Sequence, residues 1–250
     1  MQADEIKTAG APVLPEKPKL IASWVHLLGF LLIMAGTAAL GFHAQQTANA
    51  GGGSSGQLAN HSKAIYVYLG AGLMDWALLY YCWVGVHRKG GTLGRLSGGR
   101  WASWKDLVTD AAIAVPFWGL WEATAYAVAR ALGPDSAKSV ASLLPQSPPE
   151  VALWIAVSIT AGFCEEIAFR GYLQQQFHAV SGNIVAAVIA QALVFGLAHG
   201  YQGWKAVIVI TVLGVLYGIL AAWKGNLRTN IMAHAWSDIW GGWLKMVVWR

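Results

Sequence analysis

The chain has 250 residues, 56% of them hydrophobic and only 12% charged, with a formal net charge of +5. An ordinary soluble domain is about 25% charged, so the composition excludes a soluble enzyme and points to a membrane protein. The positive balance falls in the short loops, where membrane orientation accounts for it without a nucleic-acid partner.

In chain order, residues 1–23 hold Pro12, Pro15, Pro18 and mixed charge, and read as a flexible cytoplasmic tail. A bilayer core of about 30 Å takes roughly 20 apolar residues per helix. Runs of that kind predict helices at Trp24–Gly41, Ala64–Val86 and Asp110–Leu132, which form an N-terminal transmembrane part, residues 24–132. Four more follow: Val151 into "TAGFCEEIAFRGYLQQQF", then Ile184–His199, Ala206–Trp223 and Ile231–Val248. The fold class is all-α, a polytopic helical membrane protein with about seven transmembrane helices. Ala48-Asn49-Ala50 has the form of a cleavage site, but the polar stretch before Trp24 is long, and an uncleaved anchor is expected. The Gly/Ser-rich "QQTANAGGGSSGQLANHS" reads as a loose loop, and "GPDSAKSVASLLPQSPPE" as a second, proline-bounded break.

The second loop carries Arg88, Lys89, Arg95, Arg100 and Lys105, against Lys63 alone in the first loop. The second loop is therefore expected on the cytoplasmic side and the N-terminus with it, as for an integral protein of a bacterial cytoplasmic membrane. Cys82 and Cys164 lie in apolar runs and are expected as thiols. Asp75 and Glu122 are read as structural, the tryptophans near helix ends as membrane anchors, and "GGTLGRLSGGRW" lacks the strand and helix of a phosphate loop.

Glu165, Glu166 and Arg170 need an explanation within an oily segment. On a helix, Glu166 and Arg170 stand i, i+4 and can pair, while Glu165 points about 100° away toward another neighbour. Alternatively, the helix ends at Cys164 and these charges lie among lipid headgroups. Downstream, Phe195 and His199, and then His234 and Asp238, repeat the i, i+4 spacing in apolar segments. Ionisable groups in several membrane helices are most cheaply carried if they meet.

Glu165-Glu166-x-x-x-Arg170, Phe195-x-x-x-His199 and His234-x-x-x-Asp238, in this order, resemble the signatures of the CPBP intramembrane proteases, a family that includes type II CAAX prenyl endopeptidases and bacteriocin self-immunity proteins. The resemblance makes residues 151–250 a catalytic helical core. It implies a glutamate-dependent endopeptidase with Glu165, His199, His234 and Asp238 as catalytic residues, supported by Glu166, Arg170 and Phe195. Asp238 departs from the asparagine usual in the prenyl-protein enzymes. The family requires no metal, although Glu165, His199 and His234 also form a two-histidine, one-carboxylate set suited to zinc. A turn near Ser181 sets Glu165 and His199 at similar depth, whereas His234 lies only eight residues past Asn226; helices four and five are expected to protrude beyond the membrane face to bring the three level. The partners implied are the lipid bilayer and a membrane-associated protein or peptide substrate. A non-catalytic CPBP-fold subunit or immunity factor, and an ion or proton carrier, use the same residues and remain alternatives.

Overall fold

The computed structural model describes residues 18–50, 61–133 and 144–244. Among them there is no strand. Helix α1 spans Trp24–Ala50, α2 His61–His87, the short α3 Leu93–Ser97 and α4 Trp104–Leu132. Helix α5, Pro148–Glu165, runs without a break through a π-helical segment, Glu166–Leu173, into α6, Gln174–Ser181. Then come α7, Ile184–Ala198, a 3-10 turn at Gly200–Gln202, α8, Trp204–Lys224, α9, Arg228–Ile239, and a π turn at Trp240–Leu244.

The boundaries follow local chemistry. Thr92 and Ser103 cap α3 and α4, the latter in a reciprocal box with Asp106. Asn183 accepts from the backbone N–H groups of Val185 and Ala186 at the start of α7. Pro148 opens α5, where its missing N–H is not needed. The first loop departs from expectation: both ends of the polar stretch are helical, because Gln45 to Ala50 extend an already nucleated helix, and elongation needs far less than nucleation. Its centre, residues 51–60, lies outside the described residues, as do most of the tail and residues 134–143. The last expected helix begins earlier, at Arg228, and the part after Leu244 is likewise outside.

Four helical stretches are long and apolar enough to cross a membrane: Trp24–Thr47, Ala64–His87, Pro148–Ser181 and Trp204–Lys224. The protein is an all-α integral membrane protein. Of the three remaining expected spans, α4 has the length, 29 residues, but is not among the stretches apolar enough to cross, while α7 has 15 residues and α9 has 12, short of the ~20 that a bilayer core takes. Large apolar side chains on α1, α2 and α4, such as Leu32, Leu73, Trp76 and Val115, are exposed, as lipid-facing surfaces require. One core joins both halves of the chain: Phe30, Cys82, Ile167, Tyr172, Phe195 and Leu227 belong to the same buried cluster.

The stretch Pro148–Ser181 has 34 residues, roughly 50 Å at ~1.5 Å per residue. The α8–α9 turn does not reach its far end. Leu227 packs on Gly171, where a Cβ would meet it at 3.0 Å, and its N–H donates to the Ser97 carbonyl at 3.1 Å. The α6–α7 hairpin thus extends roughly 15 Å past that turn, from Gly171 to Ser181. This resolves the difference in depth, since Glu166 and His234 each lie within about two helical turns of the Gly171–Leu227 contact.

Candidate active site

Helix α5 approaches α9 closely at a glycine. A Cβ on Gly162 would stand 2.7 Å from the Ala235 backbone nitrogen, so only a bare backbone permits the contact. About two turns back along α5 and one turn on along α9, Trp154 secures the same pair of helices by donating Nε1–H to the Asp238 carbonyl at 2.9 Å, over Gly242, where any side chain would collide with the indole. Glu165 and Glu166 are thereby carried to His234.

Glu166 is fully buried and its two oxygens take three donors. Arg170 Nη1 donates to Oε1 at 2.9 Å, Asn230 Nδ2 to Oε2 at 3.0 Å, and His234 Nδ1 to Oε1 at 2.8 Å. A carboxylate oxygen only accepts, so this bond assigns the proton to Nδ1. The ring is then aimed by its other face: Nε2 lies 3.7 Å from Glu165 Oε2 and 3.6 Å from Asp238 Oδ2. Tyr217 stacks on the imidazole with centroids 5.2 Å apart, and its hydroxyl meets Ser237 Oγ at 3.3 Å.

Arg170 is held with equal care. Its guanidinium lies 4.3 Å from the Phe195 ring centroid and 5.2 Å from that of Tyr217, and Nη2 reaches the Gly214 carbonyl at 3.4 Å. Gln174 donates to the Gly218 carbonyl at 3.1 Å. Gly214 and Gly218 leave this stripe of α8 without side chains, which lets Arg170 of the π segment and Gln174 at the start of α6 use the α8 carbonyls. The π segment is buried from end to end, so Glu166 and Arg170 face protein and not headgroups. Insertions of this type are frequent at functional sites.

The expected Glu166–Arg170 pair is present. Glu165 differs from expectation: it turns not to a separate neighbour but to the opposite edge of the same histidine that Glu166 holds. The two carboxylates are unequal in access, Glu165 having 18% of its side chain exposed and Glu166 none. His199 is not inside a helix; it ends α7, and its Nδ1 lies 2.8 Å from the Phe195 carbonyl. It forms no ion pair with Glu165 among the described residues, and Phe195 packs near both histidines, 4.8 Å from the ring of His199 and 6.3 Å from that of His234.

As a zinc set, Glu165, His199 and His234 do not gather: among the described residues no three His, Cys, Asp or Glu side chains are arranged to hold a metal ion. Cys82 and Cys164 are free and buried.

Two participants, Asn230 and Tyr201, were not singled out in the sequence, and a third, Asp75, was given only a structural part. Asn230 bridges Glu166 and the Tyr217 carbonyl, the latter at 2.9 Å; its spacing of four from His234 was the available signal. Asp75 of α2, read as structural, lies within electrostatic reach of Glu165, His234 and Asp238. Tyr201, on the 3-10 turn after His199, senses the charges of Glu165, Asp238 and Asp75. Neither belongs to a spaced motif.

The fold and this cluster define a class: an all-α integral membrane protein with a glutamate–histidine centre between its C-terminal helices. Residues 147–240 match the family described as type II CAAX prenyl endopeptidase, Rce1-like, and this segment contains all three motifs of the CPBP resemblance. At the level of class, the match is to a protease of membranes. No curated protein and no solved structure matches the chain.

Proposed function

We propose that the protein is an intramembrane endopeptidase, with its N-terminus in the cytoplasm of a bacterial cell, that hydrolyses a peptide bond of a membrane-associated protein or peptide. The observation that carries the reading is His234, fixed through Nδ1 by a buried, neutralised Glu166 while Nε2 faces the accessible Glu165 and Asp238.

Peptide hydrolysis needs a base for water and a donor for the developing oxyanion. Glu165, the glutamate of the pair that solvent reaches, is the base. Its 3.7 Å separation from Nε2 is longer than a hydrogen bond, and such contacts tighten when substrate binds. Since Nδ1–H is committed to Glu166, Nε2 donates to the oxyanion when the ring carries both protons, a state whose charge the surrounding carboxylates balance. Asp238 steadies that edge of the ring. His199 donates Nδ1–H to the Phe195 carbonyl, which leaves Nε2 able to accept a proton from Glu165 through an intervening water. No metal takes part in this scheme.

Glu166, Arg170 and Phe195 act as supports, and the clustering of Glu165, Glu166 and Asp238 around the His234 ring favours a hydrolytic centre over a relay strung along the membrane. The test is cleavage of a peptide reporter ending in a prenylated cysteine motif, with the full chain reconstituted in vesicles. Glu165→Gln should lower the rate by about 10² or more. Cleavage undiminished in the variant removes Glu165 as base; a wild-type chain inert on this and unprenylated membrane reporters favours the non-catalytic reading, to which Asp238 in place of asparagine also leans.

A further inference from the structure

Away from the glutamate–histidine centre, a cavity of about 490 Å³ opens between the start of α1 and the end of α2, lined among others by Ser23, His26, Tyr80, Tyr81, Arg88 and Lys89. We propose that it binds the phosphate headgroup of an anionic phospholipid. The volume lies within the ~300–1,000 Å³ typical of small-molecule sites.

Charge gives the sign of the ligand. Arg88 and Lys89 are exposed, neither forms an ion pair with a described residue, and no carboxylate lines the cavity. Position gives its form. Two apolar stretches fit to cross the bilayer, Trp24–Thr47 and Ala64–His87, begin and end here, so the mouth stands where headgroups meet acyl chains. Val25, Ala77 and Val84 continue the wall into the apolar zone, and Tyr80 and Tyr81 are the aromatic type that favours that boundary. Basic pockets between membrane helices suit anionic headgroups for these reasons.

The floor is preformed. His26 stacks on Tyr81 at 4.0 Å between centroids, its Nε2 meets the Tyr81 carbonyl at 2.9 Å, and the Tyr81 hydroxyl donates to the His26 carbonyl at 2.9 Å. Gly85 makes room, since a Cβ there would collide with the imidazole. His26 Nδ1 also meets the Tyr172 hydroxyl at 2.8 Å, and Tyr172 belongs to the π segment that carries Glu166 and Arg170. An occupied cavity would therefore brace the segment beneath the glutamate–histidine centre.

Native mass spectrometry of the full chain in detergent, titrated with phosphatidylglycerol, phosphatidylcholine or inorganic phosphate, tests this without any substrate. One phosphatidylglycerol should be retained in preference to phosphatidylcholine. The double variant Arg88→Gln/Lys89→Gln should bind it roughly 25-fold more weakly, from the contribution of each basic residue near a lipid surface. Arg95→Gln/Arg100→Gln, which removes equal charge from the same loop outside the cavity, should leave it within about twofold, as sites without shared contacts act independently. Equal binding of the two lipids, equal loss in both double variants, or displacement of the lipid by millimolar phosphate overturns the proposal. Lipid retention is read without cleavage, so its failure is separate from failure of the protease reading.

Discussion

Two buried carboxylates, Glu166 and Asp110, grip the same helix, α9, and do different things with it. Asp110, at the start of α4, takes Thr229 Oγ1 at 2.9 Å, Arg228 Nε at 3.0 Å, Lys224 Nζ at 3.0 Å and Trp101 Nε1 at 2.8 Å. Arg228 also donates Nη1 to the Arg100 carbonyl at 3.2 Å, and the cluster pins the first turn of α9 against α4 and the preceding loop. Glu166 takes the next turns through Asn230 and His234. The difference lies in one donor: an imidazole bound through Nδ1 still presents Nε2, so the Glu166 cluster aims a reactive edge, whereas arginine, lysine, threonine and indole at Asp110 yield only position. The number of bonds to a buried carboxylate does not tell a clamp from a site; the chemistry left over on its partners does.

The largest expected effect breaks the Glu166 side. Arg170→Leu leaves a carboxylate buried without its cation and should destabilise the fold by about 3–5 kcal/mol, seen as loss of accumulation or a lowered Tm in detergent. A Tm equal to that of the wild type would remove Arg170 as the counter-charge. Asp110→Asn comes next. It keeps one acceptor but turns an amide either toward Lys224 and Thr229 or toward Arg228 and Trp101, and about 1–3 kcal/mol of stability should go. If Asp110 is only a clamp, the pH profile of cleavage should keep its shape; a displaced profile would bring Asp110 into the site. The smallest effect is at Glu165→Gln, where a partly exposed charge is replaced by an amide of the same shape. Its Tm should move by no more than about 0.5 kcal/mol equivalent, while cleavage falls. A large thermal loss would make Glu165 structural, like Glu166.

The motif spacing made Glu166–Arg170 legible, because two residues four apart on any helix are neighbours whatever surrounds them. The same rule placed Phe195 beside His199. It could not show that Glu165 and Glu166, about 100° apart on their own helix, meet opposite edges of one imidazole, since that depends on how closely a second helix approaches. Gly162 against Ala235 sets that approach, and a lone glycine in an apolar run carries no such message in the sequence.

Composition and apolar run length determined by themselves that this is a helical membrane protein, because a bilayer imposes length and polarity on each segment separately. Local spacing likewise determined the Glu166–Arg170 pair. Only the tertiary structure decided that Asn230 and Asp75 join the charged cluster, and that a 34-residue helix carries the α6–α7 hairpin past the α8–α9 turn. These are relations between segments far apart in the chain. They arise from helix crossings and from the need to satisfy each buried charge with whatever donor lies closest in space, which no single stretch of sequence records.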